Sequence, residues 1–145
     1  MIRTIELKWA GGKHNWIDQN NVVFGYDDVQ DCCEAWGWGV YDPETRELVA
    51  AEPDGLPYHF DFENGTRELA IKWGDKKPKE ELPYGFENTE YIDVINAVQV
   101  ALLPDDGEAR RLIFQCYVDH NGYYYHSFSL DKKSKEEILE EGDAQ

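Results

Sequence analysis

Two stretches of the chain hold residue types that can do chemistry. Asp31-Cys32-Cys33-Glu34 sets two thiols between two carboxylates. A thiolate is both a nucleophile and a zinc ligand, so the tetrapeptide raises a thiol enzyme or a metal site. Zinc sites usually place two to four residues between paired cysteines, and adjacent cysteines fit that badly. Cys116 and His120 could add a second pair across a strand end. Asp31 and Glu34 would raise a thiol pKa rather than lower it, which argues against a reactive thiolate. Two small buried residues flanked by surface acids is the simpler reading. No catalytic residue, metal or other cofactor is therefore expected.

The second stretch is His120-Asn121-Gly122-Tyr123-Tyr124-Tyr125-His126. On a strand, Tyr123 and Tyr125 share one face, and Tyr124, His126 and Phe128 share the other. Such a strand makes an aromatic cross-strand ladder with polar tips. It could also form a stacking platform for a nucleotide or sugar, with His120, Tyr123, Tyr125 and His126 as its ligand-binding residues. No basic groove accompanies these aromatics, which disfavours an oligonucleotide. Paired carboxylates such as Asp27-Asp28, Asp105-Asp106 and Asp61/Glu63 could hold a hard cation, but none sits in a regular calcium-binding loop. The chain has no phosphate-binding glycine loop, no nucleophile elbow and no His-Glu-x-x-His motif.

Strands must position these residues. Alternating apolar and polar residues mark strands at 2–9, 21–26, 32–41 and 48–51. Within 32–41, Trp36, Trp38 and Val40 fall on one face. Gly37 and Gly39 fall on the other, which suggests a bulge or the close approach of another backbone. Tyr58, Phe60 and Phe62 alternate with polar residues up to Asn64-Gly65, a strong hairpin signal, and 68–73 reads as the return strand. The proline-bearing segment 74–86 reads as an exposed loop.

Residues 91–103 admit a helix, but their β-branched content and the turn at 104–107 favour a strand. A strand at 112–119, a turn at Asn121-Gly122 and a strand at 123–130 complete a meander. Ser134 and Glu137 stand at capping-box spacing before a short acidic C-terminal helix. The expectation is one mainly β domain over 1–133, an antiparallel sheet or sandwich, followed by a helix or tail over 134–145.

Of 145 residues, 41% are hydrophobic and 14% aromatic, enough for a core. Thirty acidic residues against fourteen Lys and Arg give a net charge of −16. That charge repels phosphate, so direct nucleic-acid and anionic-membrane partners are not expected. The acids are clustered: 27–63 holds eleven against one basic residue, and 80–108 holds eight against none. An acidic face of this kind docks on a basic partner, with carboxylates standing where phosphates would be. The partner-binding candidates are Asp27, Asp28, Asp31 and Glu34, with Asp42 and Glu44 as rim charges. Trp16, in a polar stretch, is expected exposed on the same surface.

No apolar run approaches the roughly 18 residues of a membrane span. The N-terminal residues lack the apolar core of a signal peptide. Three cysteines, two of them adjacent, make a poor disulfide framework. Reduced thiols and a cytoplasmic location are the expectation. Self-association is left open, although the net charge opposes it.

Asp31-Cys32-Cys33-Glu34, together with Asn121-Gly122-Tyr123-Tyr124, resembles the signature of small β-rich phage and prophage proteins of unknown function. The likeness covers two short stretches. It carries no activity that could be assigned residue by residue. It implies a setting in the host cell cytoplasm, where small phage proteins often act by binding host proteins. The leading expectation is a non-enzymatic acidic protein that inhibits a host defence or nucleic-acid-handling protein by occupying its basic groove. The alternatives are a nucleotide-sequestering protein built on 120–128, and a metal or thiol enzyme built on Cys32, Cys33, Cys116 and His120.

Overall fold

The computed structural model describes residues 1–6, 14–27, 34–72, 77–88, 94–107, 109–120, 130–131, 134 and 136–137. Among these residues the chain is mainly β, and every strand pairing is antiparallel. Strands β1 (Arg3–Thr4), β2 (His14–Ile17), β3 (Val23–Tyr26) and β10 (Leu130–Asp131) form one sheet in that order. The larger sheet comprises β4 (Glu34–Tyr41), β5 (Leu48–Ala50), β6 (Tyr58–Asp61), β7 (Arg67–Lys72), β8 (Val94–Pro104) and β9 (Leu112–His120). Its order is β5-β4-β9-β8, with β6 and β7 laid end to end along the outer side of β8.

The long strands β8 and β9 are the spine, joined by a turn with Gly107 at φ 74°. Their β-branched and aromatic residues suit a pleated surface that is covered on both sides. Period-two alternation sends Leu112, Phe114 and Cys116 to one face, where they meet Leu102, Val100 and Val98. Trp36, Trp38 and Val40 join that face from β4, as their spacing predicts. The small sheet closes over it with Trp16, Phe24 and Tyr26. Trp16 meets Phe114 edge-on at 5.0 Å, and Tyr26 meets Trp38 at 5.8 Å. Phe24 stacks on Phe60 at 5.7 Å. The result is a two-sheet sandwich with one aromatic core.

On the opposite face the glycines are closely approached, but by side chains rather than by the expected backbone. A Cβ on Gly37 would lie 2.6 Å from the Tyr117 hydroxyl oxygen. Residues 82–88 cover part of this face, so 74–86 is not simply an exposed loop. Gln115, fully buried, accepts from Tyr84 N–H and donates to Tyr84 C=O, each at 2.9 Å. Tyr84 stacks on Tyr41, and Phe86 meets Tyr117 edge-on. Arg46 lies over the Tyr84 ring, donates to Leu82 C=O at 2.6 Å and pairs with Glu87. Residues 79–81 form an exposed 3-10 turn beside this strap.

Two local expectations need correction. Asn64-Gly65 does not close a hairpin. It ends a single helical turn, α1 (Phe62–Gly65), capped by Asp61, whose side chain accepts from Asn64 N–H. β6 and β7 each pair with β8 rather than with one another. A Cβ at Gly65 would fall 2.1 Å from the Ala101 Cβ, so the turn can lie against β8 only with glycine there. The second correction is β2, which occupies sequence read as polar loop. Its pairing with β3 supplies what its own pattern does not.

Buried Asp18 fixes the β2–β3 turn. Its Oδ1 accepts from Asn20 and Val22 N–H, and its Oδ2 accepts from Phe60 N–H. At the C-terminal side, Ser134 Oγ accepts from Glu137 N–H at 3.1 Å, the expected capping bond. Residues 136–137 are helical, while the remaining helix expectation and the Asn121-Gly122 turn lie outside the described residues.

Candidate functional site

Strand register brings Glu34 and His120, the described residues of the two chemistry-bearing stretches, to one end of the large sheet. Glu34 pairs with His120, and His120 pairs with Val94 on its other side. Glu34 closes the Asp-Cys-Cys-Glu tetrapeptide, and His120 opens the His-Asn-Gly-Tyr stretch. Glu34 and His120, 86 sequence positions apart, are thus paired at this end. Asp28, Asp31, Cys32, Cys33, Tyr123, Tyr125 and His126 lie outside the described residues, as does the Glu34 side chain.

His120 is only 5% exposed, and its Nε2 lies 3.0 Å from Asn96 Oδ1. Cys116 is buried among Trp38, Val98 and their neighbours, and burial pushes its thiol well above the ordinary range. Cys116 and His120 share a face of β9, but four residues of strand separate them by roughly 13 Å. They cannot ligate one metal ion in that arrangement. Among the described residues no group of three or more His, Cys, Asp or Glu is placed to hold a metal.

The other sequence candidates scatter. Trp16 is 1% exposed, contrary to the expectation of a surface residue. It anchors the core because β2 turns it toward Phe114 and Trp38. Asp27 is half-buried after β3. Asp42, expected at a rim, is buried where β4 ends. Its Oδ1 accepts from Glu44 and Thr45 N–H, and its Oδ2 pairs with Arg110. The Glu44 amide, followed by Arg110, holds the Asp42 carboxyl below the usual range. Glu44 is exposed and reaches the same guanidinium at 3.4 Å.

A surface not assembled by sequence reasoning lies beside this turn. β5 is an edge strand of the large sheet, and Leu48 and Val49 are 59% and 51% exposed. Glu44, Glu47, Glu52 and Asp54 are all exposed in the chain flanking it. Arg46, the one basic residue in that stretch, is turned onto Glu87 and Tyr84. The sequence signal was available: Leu-Val-Ala-Ala between Glu47 and Glu52 is an apolar β run in an acidic frame.

Fold and surface together define a β-sandwich with an acid-framed apolar sheet edge. Comparison with known proteins found no matching family model, no similar curated protein and no similar solved structure. No helix among the described residues is long and apolar enough to cross a membrane.

Proposed function

We propose that this chain is a non-enzymatic acidic binding protein that docks on a basic surface of a partner protein and blocks it. The β5 edge carries this reading: Leu48 and Val49 stand exposed between Glu44, Glu47, Glu52 and Asp54. An unpaired strand edge offers backbone N–H and C=O groups to an incoming extended segment. Neighbouring carboxylates select a segment rich in Lys and Arg and speed its approach at low salt. The occupant is therefore an extended basic segment bordering a nucleic-acid-handling groove. On this reading, which leans on the likeness to small phage proteins, the partner is a host protein met in the host cytoplasm. The burial of Cys116, which raises its thiol pKa, favours binding over thiol catalysis at that residue.

The test is a tagged pull-down from bacterial lysate at low and high salt, followed by affinity measurement with the purified retained protein. The expected partner is stoichiometric, salt-sensitive and basic at the contact. E44K/E47K and, separately, V49D should each weaken it by about tenfold or more, the equivalent of about 1.4 kcal/mol. Capture of no stoichiometric protein, or affinity unchanged in both variants, overturns the proposal.

A further inference from the structure

The β5 edge is too short to hold a partner by backbone bonds alone. It has three residues, Leu48–Ala50. Val40 pairs with Ala50 and Tyr41 with Leu48, so the register shifts and Val49 has no β4 residue opposite it. A bulge of this kind twists an edge and interrupts its row of N–H and C=O groups. An added strand gains few ladder bonds here, and its affinity must come from side chains.

Those side chains follow a definite order. Glu47 precedes the strand, Leu48-Val49-Ala50-Ala51 follows, and Glu52 ends the run. Glu47, Leu48, Val49, Ala51 and Glu52 are exposed, whereas Ala50 packs against the core. Leu48 leans toward the face away from that core. A Cβ on Gly39 would lie 2.8 Å from Leu48 Cδ1 and 3.1 Å from the Tyr41 ring. Leu48 therefore rests over glycine backbone beside Tyr41, with 59% of its own surface still open. Arg46, next to Glu47 in sequence, is committed to Glu87 and to the Leu82 carbonyl.

We infer that the β5 edge selects an extended segment with a basic residue at each end and aliphatic residues between them, the counterpart of its own acid–apolar–acid order. The two basic residues stand about five positions apart, the separation of Glu47 and Glu52 along an extended chain. The aliphatic residues cover Leu48 and Val49 as cross-strand neighbours do. This inference rests on the docking proposal and narrows it. A segment with Lys or Arg at its middle brings charge onto Leu48 and Val49 and leaves the flanking carboxylates unmatched.

The test measures binding of two labelled hexapeptides, blocked at both ends, to the full chain by fluorescence anisotropy at low salt. One is Lys-Thr-Val-Ile-Thr-Lys. The other is Thr-Val-Lys-Lys-Ile-Thr, with the same composition and charge. The first should bind about tenfold more tightly than the second. V49D should erase that preference by weakening the first peptide alone, so retained binding of the second shows that the variant is folded. E47K/E52K should weaken both. Equal affinity for the two peptides, with both lost in E47K/E52K, overturns the inference and leaves charge-driven docking standing. A preference that survives V49D also overturns it. Binding of neither peptide overturns the inference, whereas an empty pull-down overturns the docking proposal itself.

Discussion

Gln115 and Tyr84 exchange two hydrogen bonds of 2.9 Å, side-chain amide to backbone amide. Gln115 thereby presents the face of β9 with a substitute for strand backbone, and residues 82–88 dock on it without becoming a strand. Gln99 Nε2 donates a further bond to the same Gln115 oxygen, also at 2.9 Å. The buried amide pair is satisfied only while the strap is in place.

Gln115→Met keeps most of the side-chain volume and removes both bonds to Tyr84. Tyr84 N–H and C=O then lose their partners, as does Gln99 Nε2. The expected loss is about 1–3 kcal/mol of stability in urea denaturation. The Tyr84 amide should also exchange with solvent faster. Unchanged stability together with unchanged Tyr84 exchange would show that packing of Tyr84 and Phe86, not the amide, holds the strap.

Asp42 links folding to pH. Its folded-state pKa is depressed, chiefly by the Glu44 backbone N–H and then by Arg110. A depressed carboxyl contributes stability above its unfolded value, roughly 3.9, and that contribution disappears as pH falls through the folded value. Wild-type protein should therefore lose more stability than Asp42→Asn between neutral pH and the acid side of that window. Equal pH dependence of the two proteins by urea denaturation would remove Asp42 from the acid response.

Cys116 should be chemically silent in the folded chain, because burial raises its thiol pKa and closes access to reagent. In a Cys32→Ser/Cys33→Ser variant, a water-soluble thiol reagent should label nothing under native conditions. It should label one thiol per chain in denaturant. Rapid native labelling would mean that the core around Trp38 and Val98 opens readily.

Much of the sandwich was legible in the sequence because strand alternation is a local property. The common face of Trp36, Trp38 and Val40 follows from a period of two along one segment. The strand at β8 was legible too, since its β-branched residues outweighed a helical spacing. The Ser134–Glu137 bond was legible because an N-cap needs only three residues of separation.

Other features required the assembled sheets. Asn64-Gly65 carries the chemistry of a hairpin turn, but β8 is long enough to pair with β6 and β7 in succession, and that pairing set the local conformation. Trp16 lies in polar sequence, and only the β2–β3 pairing carries its ring to Phe114. Asp42 and Glu44 have the charge of rim residues, yet Arg110, distant in sequence, arrives beside both. The sequence by itself determined strand-rich composition, acidic charge and which residues alternate, because these depend on near neighbours. Tertiary structure decided which described strands lie at the sheet edges, which acids keep their charge exposed, and which distant segments meet. Those depend on long-range register, where one pairing partner competes with another and burial of the aromatic core selects the outcome.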